Sequence, residues 1–240
     1  AGGTAFDVQM YHAGAHVDAI GGAMTVTRLY RWADRPIRDA AFDFRALPEP
    51  REIAPVTWRR EVLYVRECEA IVIHDRIEGD SATDWNLQVF AEDVHVDGDH
   101  VTCRGQFGVD LDVYMALPET AAWAISSFEH LGFDEPRLPA WWWRGASWTA
   151  PEGATYGPVG ERALTLTVSP GVRSEYLALL IARPAARTAS EVERLSNGFA
   201  WRNEAGLWTA RLCESRWRFS LDGPIAWHED VRVYGCLGCG

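Results

Sequence analysis

Residues 107–117 read FGVDLDVYMAL, and the alternation of side chains in this stretch decides the fold class. The apolar residues at every second position are Phe107, Val109, Leu111, Val113, Met115 and Leu117. A period of two places this set on one face of a β-strand and turns the residues between toward water or a second layer. A helix would scatter the same residues around its whole circumference. The stretch therefore predicts a β-strand with two chemically distinct faces.

Short segments with this alternation recur along all 240 residues, and turn signals separate them. One turn signal is the Asp-Gly pair at 97–98, which favours a tight hairpin between two apolar runs. The only clear helical signal is short: residues 190–195 read SEVERL, with Ser190 three positions before Glu193 as in a capping box. We expect an all-β fold, a single large antiparallel β-sandwich domain over residues 1–240. Long surface loops at 33–55 and 128–160 and at most one or two short helices would complete it.

Composition and motifs exclude several classes of function. The net charge is −11, which argues against a nucleic-acid partner, and no apolar run is long enough to span a membrane. The chain contains no phosphate-binding loop, nucleophile elbow, dinucleotide fingerprint or H-E-x-x-H motif. Asp110 and Asp112 share one strand face, and paired carboxylates about 5–9 Å apart can hydrolyse glycosides. We favour the simpler interpretation that these two residues form the polar face of an amphipathic strand.

A cluster of aromatic residues is the strongest candidate for contact with a ligand. The chain has twelve Trp residues, and residues 141–144 read Trp-Trp-Trp-Arg. Indole rings stack on the apolar faces of sugars, and an Arg beside them suits a carboxylate. Trp141, Trp142, Trp143 and Arg144 are therefore candidate substrate-binding residues. Alternation along an extended segment turns Trp142 away from its neighbours, so packing of at least one ring into the core is an open alternative.

Five segments resemble the C-terminal β-sandwich of the heparinase II/III-like polysaccharide lyases. They are residues 58–66 (WRREVLYVR), 70–79 (AIVIHDRIEG), 85–89 (WNLQV), 108–114 (GVDLDVY) and 176–184 (YLALLIARP). The resemblance covers about residues 10 to 185. Lyases of this family carry a helical toroid before the sandwich and cleave uronate-containing acidic polysaccharides by β-elimination. This chain contains no toroid-like half, so the resemblance implies contact with a helical toroid domain or subunit and a periplasmic or secreted location.

The resemblance implies a catalytic role for a histidine that precedes the first long strand. In related lyases a His near this point faces the cleft between toroid and sandwich. There it neutralises the uronate carboxylate or transfers a proton, and imidazole suits both roles near neutral pH. His12 matches this position, and Tyr11 is its neighbour. An ordinary exposed histidine is the alternative interpretation.

The resemblance also implies a structural zinc site. In the family, a His-x-Asp segment before a strand, an acid after it and a His from a later strand hold the metal. His16 and Asp18 match the segment, Asp34 matches the later acid, and His74 is the candidate third ligand. Imidazole and carboxylate suit zinc, and ligands from separate strands would fix the chain to the sheet. Hydrogen-bonded histidines with no metal are the alternative.

Two classes of function therefore stay open at the level of the sequence. The first is the sandwich part of a polysaccharide lyase, a carbon–oxygen lyase whose activity would require the toroid. The second is a non-catalytic module that binds glycans or supports the assembly of other subunits. The partner expected for the first is an acidic polysaccharide or oligosaccharide.

Overall fold

A computed structural model describes residues 7–29, 51–79, 83–105, 108–127, 162–168, 175–214 and 216–232. These residues form sixteen strands and a single-turn 3-10 helix, Arg66–Cys68. The first eight strands are β1 (Asp7–Ala13), β2 (Val17–Leu29), β3 (Arg51–Val65), β4 (Ala70–Glu78), β5 (Trp85–Ala91), β6 (Asp93–Asp97), β7 (His100–Arg104) and β8 (Val109–Leu117). The others are β9 (Trp123–Ser127), β10 (Arg162–Val168), β11 (Glu175–Pro184), β12 (Glu191–Leu195), β13 (Gly198–Asn203), β14 (Gly206–Cys213), β15 (Arg216–Asp222) and β16 (Trp227–Arg232). None of the described residues forms a helix long and apolar enough to cross a membrane.

The strands form three antiparallel sheets, so the predicted all-β sandwich-like fold is confirmed. The largest sheet has eight strands in the order β1-β2-β3-β4-β11-β8-β7-β6. A three-stranded sheet has the order β5-β10-β9, and a five-stranded sheet follows the chain from β12 to β16.

Two apolar cores lie on opposite faces of the eight-stranded sheet. One core packs that sheet against the five-stranded sheet and contains Trp201, Trp208 and Trp217. The other packs it against the three-stranded sheet around Trp85 and Met115. Burial of several indoles at once supplies much of the apolar area that holds the layers together.

Strand β8 shows why the alternation at 109–117 has two buried faces. Val113 and Met115 face the core around Trp85, whereas Tyr114 faces the core around Trp201. Asp110 and Asp112, which are predicted to form the polar face of an amphipathic strand, are instead buried, with exposed fractions of 8% and 0%. Both carboxylates are buried beside one guanidinium.

That guanidinium belongs to Arg183 on the neighbouring strand β11. Its Nε donates a hydrogen bond to Asp112 at 2.6 Å, and its Nη1 lies 3.3 Å from the Asp110 carboxylate. Charges can be buried in this way because each has an opposite partner and hydrogen bonds. Of the two surroundings that the alternation allows, water or a second layer, this face of β8 therefore has the second layer.

Two other predictions, a short helix and the extent of a surface loop, also differ from the structure. Residues 190–195 were expected to form a short helix, but Glu191–Leu195 is strand β12. Its Val192 pairs with Trp201 on β13, and the gain from this pairing outweighs the local capping preference. Strand β3 begins at Arg51, inside the segment 33–55 that is predicted as a surface loop, because Arg51 pairs with Leu29 and extends the ladder that β2 begins.

Candidate functional site

The hairpin that joins β1 to β2 brings several candidate residues to one end of the sandwich. Ala13 pairs with Asp18, and the Gly14 amide donates to the Val17 carbonyl at 2.9 Å. This tight turn places His12 on one arm of the hairpin and His16 at its tip. We refer to residues 11–18 as the hairpin tip.

A carboxylate from the five-stranded sheet fixes the hairpin tip. Glu229 on β16 lies with Oε1 2.6 Å from Nε2 of His12, and its Oε2 accepts the His16 backbone N–H at 2.9 Å. Gly14 makes this approach possible, because a Cβ there would lie 1.5 Å from Oε1 of Glu229. The His12 side chain stays 30% exposed, so its ring is held in place and is still open to solvent.

The surroundings of Glu229 keep it ionised. Partial burial disfavours the charged carboxylate, but the hydrogen bonds from His12 and from the His16 backbone outweigh burial and lower the pKa of Glu229 below its ordinary value. The pair is therefore an imidazole oriented by a carboxylate, an arrangement that enzymes use to hold a histidine in one protonation form.

His16 has its own carboxylate and an aromatic support. Its Nδ1 contacts the Glu67 carboxylate, and its ring stacks on Trp227 at 4.1 Å between centroids and 5° between planes. Beside it, Arg66 makes two hydrogen bonds to Asp18, at 2.7 and 2.5 Å. Those bonds hold the pKa of Asp18 below its ordinary value. The charged side chains at and around the hairpin tip are thus paired with one another.

Tyr11 does not join this cluster. Successive residues of a strand point to opposite faces of a sheet. His12 faces the five-stranded sheet, so Tyr11 faces away from it and is 77% exposed. The structure therefore separates the two residues that the sequence analysis grouped as catalytic candidates.

His74 lies in the core between the eight-stranded and five-stranded sheets. Its Nδ1 is 3.1 Å from Oε2 of Glu61, and its Nε2 is 2.9 Å from Oε1 of Glu175. Trp217 also donates to Oε2 of Glu61, at 2.9 Å. Ionised carboxylates accept and cannot donate, so both ring nitrogens of His74 must carry protons. Burial disfavours the imidazolium, but these hydrogen bonds outweigh burial and raise the pKa of His74.

This geometry does not fit one zinc ion held by both His16 and His74. Gly21 pairs with Glu61, and Glu61 pairs with His74, so His74 lies two strands across and five residues along from His16. The strand spacings then separate the two Cα atoms by roughly 19 Å. Both nitrogens of His74 also face carboxylates as donors, which leaves no lone pair for a metal.

Other predicted site residues fall beyond the part of the chain that the structure describes. Asp34, a proposed metal ligand, is one of them, and so is the aromatic segment Trp141, Trp142, Trp143 and Arg144. Their roles stay predictions. Within the described ranges, no three His, Cys, Asp or Glu side chains are grouped so as to hold a metal ion.

Sequence reasoning missed the residues that organise the hairpin tip. Glu229 is 217 positions from His12, and no local motif links them. A weak signal was present, because Trp227, Glu229 and Val231 alternate on one face of β16 with exposed residues between them. That alternation could have placed Glu229 beside Trp227, but not beside His12.

The chain is similar over most of its length to several solved structures, at low sequence identity and with TM-scores below 0.5. The chain matches the crystal structure of the heparan sulfate lyase HepC from Pedobacter heparinus over 95% of its length, with a TM-score of 0.48 and 9% identity. It matches two heparinase III structures over 94% and 95% of its length, one of them with methylated lysines. Their TM-scores are 0.49 and 0.45, and their identities are 9% and 11%. The chain spans 28% of the HepC chain and 27% of each of the others. No family model and no curated protein matches the chain.

Proposed function

We propose that this chain is the β-sandwich part of a polysaccharide lyase-like protein that acts on uronate-containing acidic polysaccharides by β-elimination. The observation that carries the proposal is the pair of His12 and Glu229, in which an ionised carboxylate 2.6 Å away orients a partly exposed imidazole. The segments that resemble the heparinase II/III-like sandwich support the same reading. A helical toroid domain or subunit would supply the remaining catalytic groups.

The chemistry gives His12 a definite task. In β-elimination a base removes the proton at C5 of the uronate, the C4–O bond breaks, and a double bond forms between C4 and C5. The proton at C5 becomes acidic enough only when the charge of the adjacent carboxylate is neutralised. An imidazole N–H next to that carboxylate would stabilise the charge that develops in the transition state. His12 is placed to serve this purpose or to transfer a proton.

The finer parts of the proposal concern location and substrate contacts. An acidic polysaccharide outside the cytoplasm implies a periplasmic or secreted protein. Trp141, Trp142, Trp143 and Arg144 are the proposed sugar contacts, because indole rings stack on sugar faces and a guanidinium binds carboxylates.

A second candidate function is that of a non-catalytic module that binds glycans or supports assembly. The balance of charges on and around the hairpin tip favours it. Glu67, Glu229 and Asp18 bring three negative charges, and Arg66 brings one positive charge. Even two protonated histidines would only cancel this difference. With a net charge of −11 on the whole chain, capture of a polyanion by this sandwich alone gains little from electrostatics.

The two functions can be separated with the full encoded protein. Cleavage of a uronate polysaccharide creates an unsaturated uronate that absorbs ultraviolet light. His12→Ala is expected to lower kcat by about 100-fold or more, the scale of lost general acid–base catalysis. His95→Ala, a change at an exposed histidine on β6, is the matched control. Equal rates for both variants would remove His12 from the mechanism. Absence of absorbance from every uronate polysaccharide, together with direct glycan binding, would favour the non-catalytic module.

A further inference from the structure

We infer that Glu229 is a positioning residue that fixes the Nε2–H tautomer of His12 and leaves Nδ1 as the ring atom available to a substrate. The two side chains meet through Nε2 and Oε1 at 2.6 Å. An ionised carboxylate has lone pairs and no proton to donate. A hydrogen bond at this distance therefore requires the proton to be on Nε2.

The opposite tautomer is disfavoured by the same geometry. With its proton on Nδ1, His12 would direct the Nε2 lone pair at a negatively charged oxygen. The low pKa of Glu229 keeps that oxygen charged, so the carboxylate cannot relieve the repulsion by taking up a proton. The Nδ1 atom makes no hydrogen bond within the described residues, and the side chain is 30% exposed. Nδ1 is thus the ring nitrogen without a partner in the described part of the chain.

Glu229 can impose this choice because it is itself held on several sides. Its Oε2 accepts the His16 backbone N–H at 2.9 Å, and its side chain is only 13% exposed. Its strand pairs it with Phe219, which is buried in the core beside Trp217. The space that Gly14 leaves open receives the carboxylate from the other side. A side chain fixed in this way can orient a ring that is itself partly exposed.

The role of Nδ1 in catalysis rests on the proposed function. The choice of the Nε2–H tautomer does not depend on that function. If the protein is a lyase, Nδ1 of the neutral His12 ring carries a lone pair and is the atom that accepts the C5 proton, and it can donate to the uronate carboxylate only when the ring is an imidazolium. If it is not a lyase, the ring is still locked in the Nε2–H form. The inference and the proposed function can therefore fail separately.

Nitrogen NMR of protein labelled with ¹⁵N-histidine tests the inference directly. At a pH where the ring is neutral, the shifts of the two ring nitrogens identify the tautomer. We expect His12 of the wild type to show only the Nε2–H form, with an Nε2 proton protected from exchange. Glu229→Gln is expected to give averaged shifts and to lose that protection, because a neutral amide can accept or donate. The matched control Glu67→Gln, a change to the carboxylate on His16, should leave the His12 signals unchanged.

A second variant reaches the same contact without altering either partner. In Gly14→Ala the new Cβ would lie 1.5 Å from Oε1 of Glu229 and 2.5 Å from Nε2 of His12, both side-chain atoms, so the contact between the two side chains is broken and the backbone stays in place. We expect the ring nitrogens of His12 in Gly14→Ala to show averaged shifts, as in Glu229→Gln. Averaged or Nδ1–H shifts in the wild type would overturn the inference, and so would wild-type shifts in folded Glu229→Gln. A locked tautomer in a protein without lyase activity would refute the proposed function and leave the inference intact.

Discussion

Replacing Glu61 with Leu is expected to lower the free energy of unfolding by about 3–5 kcal/mol, the usual cost of removing one partner of a buried ion pair. Oε2 of Glu61 accepts hydrogen bonds from Nδ1 of His74 at 3.1 Å and from Nε1 of Trp217 at 2.9 Å. His74 and Trp217 have exposed fractions of 1% and 0%, so water cannot replace the lost acceptor. The same oxygen joins the eight-stranded sheet to the five-stranded sheet, so its loss weakens the contact between two layers.

The pH dependence of this cost has a defined sign. The pKa of His74 is raised, so its stabilisation is complete below the ordinary value of 6.5 and is lost as the pH rises through the folded value. Burial opposes ionisation of Glu61, but the bonds from His74 and Trp217 outweigh it and lower its pKa. The Glu61 contribution is therefore present above its ordinary value of 4.5 and is lost as the pH falls through the folded value. The cost of Glu61→Leu should be largest between pH 4.5 and pH 6.5, the ordinary pKa values of the two groups. It should be smaller well above the pKa of His74.

Urea denaturation followed by tryptophan fluorescence measures the cost at a pH inside this window and at an alkaline pH. Glu78→Leu is the matched control, because Glu78 is 70% exposed and its only ion-pair partner among the described residues, Arg59, lies 3.7 Å away. This exposed change should stay within about 0.5 kcal/mol of the wild type. A Glu61→Leu cost no larger than the control, or one that grows with pH, would refute the buried imidazolium.

Three further changes test other parts of the fold. Arg183→Leu removes the guanidinium from the fully buried Asp112, which keeps His100 and Thr102 as partners, and should cost about 3–5 kcal/mol in urea denaturation. Gly198→Ala would place a Cβ 1.9 Å from the Ala210 carbonyl and should cost about 1–3 kcal/mol, measured as a lower Tm; a Tm equal to the wild type would contradict the close approach of β13 and β14. Burial raises the pKa of Cys103 to about 12, so alkylation mapped by mass spectrometry should occur only after unfolding.

The sequence predicted the strands well because alternation is a local property. Val113 and Tyr114 stand on opposite faces of β8 wherever that strand lies, so the pattern alone separates them. It could not reveal that both faces are buried, because the second layer comes from strands far along the chain. The helix predicted at 190–195 failed for the same reason: the capping preference is local, whereas the pairing of Val192 with Trp201 needs the neighbouring strand.

The candidate site shows the same division between local and distant information. His12 could be selected from its place before the first long strand, but its partner Glu229 comes from the other side of the core. His74 could be placed on a strand face, yet whether it binds a metal or two carboxylates depends on Glu61 and Glu175, which reach it from strands on either side. A histidine in a sequence therefore predicts a polar contact, and only the strand register decides its chemistry. In this chain the buried His74 has two carboxylate partners, whereas the partly exposed His12 has one. It follows that His12 keeps a ring nitrogen free for a ligand, whereas His74 does not.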